Sequence, residues 1–355
     1  MTTMITRPVS AETPLHASAP PEQKRVRPVV VWAWVGAVFV AIQVYAAAAW
    51  IASGDATPTP TGPTPVPHWM QITIAIWEPV GVLALAVFLW YFLVRPWRRD
   101  GRIGLDGMFA IIWLCFMWWQ DSAMNYFHTW ATYNSAIHNL GSWDNHLPGW
   151  RSPNGNLIAE GIIWTLPVYV VCIFGFSIVG CGFMAAVQRR RPTISKPALI
   201  GCCFVFMTVW DAICEPAFLR LGFYAYPGAI GSATLFHGHY YQFPIYEAFM
   251  AGAWWTAYTS LRYFRNDRNE TVAERGIERV RLSERNRTGV RFLALLGICN
   301  VIFAAYTSIA AMLGVYSSAW PKDIADRSYL NDGICGVGTP YECNAPEKGF
   351  SLRGE

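Results

Sequence analysis

The chain has 355 residues, of which 54% are hydrophobic and 14% charged, with a formal net charge of +4. A soluble globular domain carries about 25% charged residues, so this deficit excludes a soluble enzyme, a disordered protein or a nucleic-acid binder. The 18 Trp, 20 Phe and 16 Tyr fit helices whose aromatics meet lipid interfaces.

A transmembrane helix needs about 20 mostly apolar residues. Seven runs qualify: 29–52, 70–94, 104–126, 159–187, 198–219, 243–264 and 291–316. The sequence therefore predicts an all-α polytopic bundle of seven transmembrane helices over residues 29–320. A disordered basic tail, 1–28, is expected before it and an extracytoplasmic tail, 321–355, after it. The first run ends in AAAAWIASGDA, which resembles a signal cleavage region. A signal core is about 7–15 residues long and this run is 24, which favours a span.

Between the spans, residues 57–67 (TPTPTGPTPVP) alternate Pro with Thr and predict an extended polyproline spacer. The strings NLGSWDNHLPGWRSPNGN and LFHGHYYQFP read as caps folded over one mouth of the bundle. Residues 265–290 are rich in Arg and Glu at helical spacing and predict a surface helix against anionic lipid. Seven cysteines lie within spans, where a thiol is a small apolar packing group. Cys335 and Cys343 lie in the terminal GICGVGTPYEC and are expected to pair, because a disulfide persists outside the cytoplasm. The alternative, a metal site, lacks two further ligands nearby.

Basic residues alternate between the connections. The tail before span one and the connections after spans two, four and six hold 21 Lys and Arg, and the other four segments hold 6. Cytoplasmic segments carry such an excess. The N-terminus is thus predicted cytoplasmic and the C-terminus extracytoplasmic, in a cell membrane, with the bacterial plasma membrane as the expected one.

Ionisable groups inside spans are expensive and usually functional. Glu78, Asp121, Asp211, Glu215 and Glu247 all fall in the predicted outer halves of spans, and Glu160 opens the fourth. Asp106 alone sits at an inner end, where a helix cap is the plain reading. Asp211 and Glu215 share one helix face at i,i+4. Asp121, Asn125 and His128 share another. Glu78 and Glu215 each precede a Pro, which loosens a helix and either opens a polar recess or merely kinks the chain. Six of the seven histidines follow the same outer side.

A carboxyl buried in a span is a candidate general acid. Glu78 and Asp211, on different spans, are the expected acid–base pair, with Asp121 and Glu215 as second choices. Asn125, His128, Asp144, His146, His237, His239 and Glu247 are the expected substrate-binding residues. For Glu247 and Glu160 taken singly, a structural role is the simpler reading.

Several chemistries have no anchor. None of the four lysines lies in a span, so a retinal Schiff base is excluded. No span carries two central histidines for a haem, and no phosphate-binding or dinucleotide glycine motif occurs. The pair His237 and His239, with Asp144 or His146, is too sparse a ligand set, so neither metal nor cofactor is expected. A proton-coupled transporter places its substrate near the midplane with access from both sides. Acids confined to one half favour a one-sided pocket.

The run WWQDSAMNYFHTWATYNSAIHNLGSWDNHLPGWRSPNGN, the WDAICEP of span five and the terminal GICGVGTPYEC resemble the AveC-like (avermectin spirocyclase) family, over most of residues 29–345. The resemblance implies a membrane enzyme without an established cofactor. It implies a lipophilic, polyketide-derived dihydroxy-ketone substrate, closed to a spiroketal and sometimes dehydrated. Its partners would be that small molecule and membrane lipid, with no nucleic acid. The alternative reading is a non-catalytic membrane protein that binds or moves such a molecule.

Overall fold

The computed structural model describes residues 27–346. The expected tail 1–28 lies outside them except for Arg27 and Pro28, as do residues 347–355. Helices form where the apolar runs were expected: α1 (Pro28–Ser53), α2 (His68–Asp100), α3 (Leu105–Phe116), α4 (Ile162–Arg190), α5 (Lys196–Arg220), α6 (Ile245–Tyr263) and α7 (Glu284–Gly314). Five of them, α1, α2, α4, α5 and α7, are long and apolar enough to cross a membrane by length and composition. Their surfaces stay apolar outside the core: Trp34 is 72% exposed and Ile213 69%. Apolar surface on this scale has no stable place in water.

The third run departs from expectation. Helix α3 ends at Phe116, and the remainder to residue 125 winds into two short 3-10 turns, Trp118–Gln120 and Ser122–Asn125. The polar side chains there bond out of the helix. Asn125 Oδ1 accepts from the backbone N–H groups of Trp130 and Ala131, at 2.7 and 2.9 Å. Asp121 accepts from two tyrosines. Such side-chain bonds compete with helix continuation.

Local chemistry sets the other ends. Ser195 and Ser283 cap α5 and α7 by accepting from the N–H groups of Ala198 and Asn286. Helix α1 crosses α7 at very short range through Gly36 and Gly297. A β-carbon on Gly297 would lie 2.2 Å from the Trp32 carbonyl, so only glycine admits this approach. Helix α4 carries Pro167 and then a π-helical stretch, Val168–Phe174. Such stretches re-aim side chains and recur at functional sites. The aromatic core, with Trp113, Phe174, Trp254 and Phe303, fills the centre of the bundle.

Residues 54–67, 117–161, 221–244 and 315–346 gather at one end. Antiparallel strands β1 (Thr132–Tyr133) and β2 (Tyr224–Ala225) join two of them, with Tyr133 opposite Tyr224. Strands β3 (Thr234–Leu235) and β4 (Phe243–Pro244) close the third segment on itself. The Pro/Thr run is a strap rather than a free spacer: Thr59 bonds Asn139 and Leu157, and Thr64 bonds Ser328. The terminal segment packs inward, with Trp320, Tyr329, Leu330 and Ile334 sharing a core with Met70, Ile137 and Phe223. Cys335 and Cys343 form a disulfide.

At the opposite end Arg262 makes a two-pronged bond to Asp106, at 2.9 and 2.8 Å, so Asp106 is a salt-bridge partner rather than a cap. The surface helix expected over 265–290 is mostly turns, with helix resuming only at Glu284. Asn266 Oδ1 takes the N–H groups of Arg268 and Glu270. The buried Glu274 takes the Thr271 N–H and the Arg291 guanidinium. Asn269 and Gly276 adopt positive φ, which breaks the helical path.

Candidate active site

Four of the expected acids converge. Asp121, Asp211, Glu215 and Glu247 line one cavity of about 110 Å³ just beneath the cap. Helix α5 supplies Asp211 and Glu215 one turn apart, and their carboxyl groups lie in contact. Glu247 comes from the first turn of α6. Asp121 comes from the 3-10 turns after α3, so the early end of that helix is what turns it inward.

Each acid but one is held by phenols. Asp121 accepts from Tyr133 of β1 on one oxygen and from Tyr169 of α4 on the other. Glu215 accepts from Tyr224, at 3.1 Å, and from Tyr226, both on the strand-and-loop segment after α5. Glu247 Oε1 accepts from Tyr306 of α7 at 2.5 Å. Two buried oxygens, Asp211 Oδ2 and Glu247 Oε2, accept no hydrogen bond from a donor group among the described residues, although the Asp211 carboxyl lies against that of Glu215. An unpaired buried polar atom is costly. Asp144 and Glu160 leave both oxygens in the same state outside the cavity, so what sets Asp211 and Glu247 apart is that they share one.

The rest of the wall is aromatic and apolar, including Trp164, Phe218, Trp254 and Trp255. Trp254 stacks on Tyr306 with ring centroids 4.8 Å apart, which fixes that phenol. Ring faces next to carboxyls suit a reaction that develops positive charge on carbon. Among the described residues, no group of three or more His, Cys, Asp and Glu is arranged to hold a metal ion.

The other expected residues lie elsewhere. Glu78 is buried in α2 but does not line the cavity. Its carboxylate accepts the His138 N–H at 2.9 Å and pairs with His138 Nδ1 at 2.6 Å, so it fastens the 127–158 loop to α2. Asn125 forms the turn before β1. His128 is buried beside it, and burial pushes its imidazole down to about 4. Asp144 is buried in the cap, and burial pushes its carboxyl up to about 8. His146 binds Asp55 at 2.9 Å and Ser53 at 3.2 Å, tying the cap to the end of α1. His237 bonds Gln242, and His239 stacks on Tyr241. None of these seven lines the acid cavity.

Tyr133, Tyr169, Tyr224, Tyr226 and Tyr306 are the site residues a search for charged groups passes over. Tyr224 and Tyr226 stand two apart, the spacing that puts both side chains on one side of an extended segment, nine and eleven residues after the CEP acid. That spacing was the available signal.

No curated protein and no solved structure matches the chain. The family model described as Spirocyclase AveC-like matches residues 97–330. That span takes in Asp121, Asp211, Glu215, Glu247 and the five tyrosines that surround them, and the chain belongs to the AveC-like spirocyclase family.

Proposed function

We propose that the protein is a membrane cyclase that closes a lipophilic, polyketide-derived dihydroxy-ketone to a spiroketal by acid–base catalysis. Its seven helices would all cross the bilayer, with the N-terminus cytoplasmic and the cap outside, in a bacterial plasma membrane. The alternation of 21 against 6 basic residues supports this orientation. Membership of the spirocyclase family supports the reaction class.

The observation that carries the reading is the pair of unpartnered oxygens, Asp211 Oδ2 and Glu247 Oε2, in one aromatic cavity. Spiroketal closure needs little else. One substrate hydroxyl adds to the ketone and gives a hemiketal. A protonated carboxyl, Asp211 in this reading, donates its proton to the hemiketal OH, and water leaves. The second hydroxyl attacks the resulting oxocarbenium ion and gives its proton to Glu247. Transfer of that proton from Glu247 back to Asp211, relayed by the water released, restores both groups, so the balance is dihydroxy-ketone to spiroketal plus water. No redox step occurs, and none calls for a cofactor. Asp121 has both oxygens engaged by phenols, which makes it a fixed acceptor facing the developing cation rather than a proton carrier. Dehydration of a hydroxyl would use the same acid and base.

The cavity is far smaller than the roughly 300–1,000 Å³ of ordinary ligand sites. It therefore suits the reacting end of a substrate, not a whole polyketide. The test is conversion of a synthetic long-chain dihydroxy-ketone by the full chain in lipid nanodiscs, with chromatographic separation of spiroketal stereoisomers. One isomer should predominate. Asp211→Asn and Glu247→Gln should each slow closure by about 10²–10⁴-fold, the usual worth of a positioned acid or base. Binding without any conversion would make the protein a carrier instead.

A further inference from the structure

The cavity has an unequal wall. Its roof, with Tyr133 and Tyr226, and its back, with Trp254 and Trp255, are buried. Several lining residues of α4 and α5 are partly exposed: Val168, Cys172, Ile173 and Phe176 on one helix, Cys214 and Phe218 on the other. They stand on two facing helices and form two lips. Towards the basic end α4 and α5 close on each other through aromatic pairs, Phe183 on Phe206 at 4.3 Å and Phe176 against Trp210 at 5.6 Å. Above Phe176 no ring pair joins the two helices among the described residues. The π-helical stretch of α4 spans this height. It sends Tyr169 inward to Asp121 while Cys172 and Ile173 remain at the lip.

The surface around the gap is hydrocarbon. Val209 is 53% exposed and Ile213 69%, and α4 carries no charged residue before Arg189. A charged or strongly hydrated molecule gains nothing there. An alkyl chain loses nothing by lying across it, because both sides of the contact are apolar.

We propose that the acid cavity opens sideways into the bilayer between α4 and α5, and that substrate enters through this gap from the hydrocarbon phase. The molecule that fits is a long-chain hydroxy-ketone whose polar end reaches Asp211 while its apolar remainder stays between the lips. This inference rests on the cyclase reading for the identity of the polar end. It also accounts for a cavity too small for a whole substrate: only the reacting end is enclosed.

The test uses the full chain in phosphatidylcholine vesicles and an alkyl diazirine probe bearing a hydroxy-ketone head. Peptide mass spectrometry locates the labels after illumination. A short-chain, water-soluble version of the same probe is the comparison. The long-chain probe should label the Asp211–Glu215 turn. Cys172→Trp and Cys214→Trp, which fill the gap from opposite lips, should each cut that labelling at least tenfold. Ile213→Trp, beside the gap but outside it, should leave it unchanged. Failure of the long-chain probe to reach the acids in the unaltered chain overturns the proposal. So does wild-type labelling in either folded lip variant, or short-chain labelling that proceeds equally fast with the lips filled. Labelling does not depend on turnover. A probe that enters through the gap without ever being cyclised would sink the cyclase reading and leave the gap standing.

Discussion

Asp144 offers a measurement of how dry the cap is. It lies in a 3-10 turn, Asp144–His146, and is fully buried. Burial pushes its carboxyl from an ordinary 3.8 up to about 8, and the Ser122 and Ser142 hydroxyls offset this only in part. In the unfolded chain the same carboxyl ionises near pH 4. Between those values the native state holds a proton that the unfolded state has lost, so stability must fall as pH rises through this window. An interval of about 4 pH units at roughly 1.4 kcal/mol each corresponds to about 6 kcal/mol. Asp144→Asn keeps the size of the side chain and removes the titration. Unfolding midpoints of the solubilised protein at pH 5 and pH 9 give the comparison. The variant should gain on wild type by several kcal/mol between pH 5 and pH 9 and be the more stable of the two at pH 9. The direction matters more than the amount, because other buried acids of the cap add slopes of the same sign that cancel in the difference between the two proteins. Equal pH slopes for wild type and variant would refute the reasoning and mean that water or an unseen partner reaches Asp144.

Three further expectations follow from packing and bonding. Glu78→Gln should lower stability by about 1.5–3 kcal/mol, the worth of hydrogen bonds to a charged group, while closure slows far less than in Asp211→Asn; paired melting and turnover measurements separate the two. Gly297→Val puts a β-carbon 2.2 Å from the Trp32 carbonyl, so α1 and α7 must part, at about 1–3 kcal/mol or more; a variant that melts with wild type would show the crossing to be dispensable. Cys343→Ser opens a loop of sequence separation 8. Loop closure of that length is worth roughly 2–3 kcal/mol, and reductant should lower the melting point of wild type but not of the variant.

The apolar runs were legible because they follow from solvent. A helix in hydrocarbon must be apolar over its whole length, and five of the seven runs satisfy that by length and composition. Where solvent is not the cause, the pattern misleads. Residues 104–126 read as one helix because they are mostly apolar, yet α3 stops at Phe116. What stops it is a set of bonds from Asn125 and Asp121 to residues that the chain brings back only later. The Arg/Glu spacing of 265–290 is helical in form, but Asn266 and Glu274 use the backbone N–H groups that a helix would need.

The site divides in the same way. Asp211 and Glu215 could be paired from sequence, because i,i+4 spacing fixes their separation whatever the tertiary fold. Glu78 and Asp211 could not, because nothing local says which helices are neighbours. Both acids are deep, both lie on apolar helices and Glu78 precedes a Pro, so by depth alone they are equivalent. What separates them is satisfaction. Glu78 has both oxygens engaged by His138, whereas Asp211 keeps one oxygen free in a cavity it shares with Glu247. Missing partners alone do not set Asp211 apart, since Asp144 and Glu160 also leave both oxygens without one; its place in the shared cavity does. Burial and charge alone therefore do not separate a fastening carboxyl from a candidate acid; the hydrogen bonds each oxygen already makes, taken together with a shared cavity, are the properties to compare.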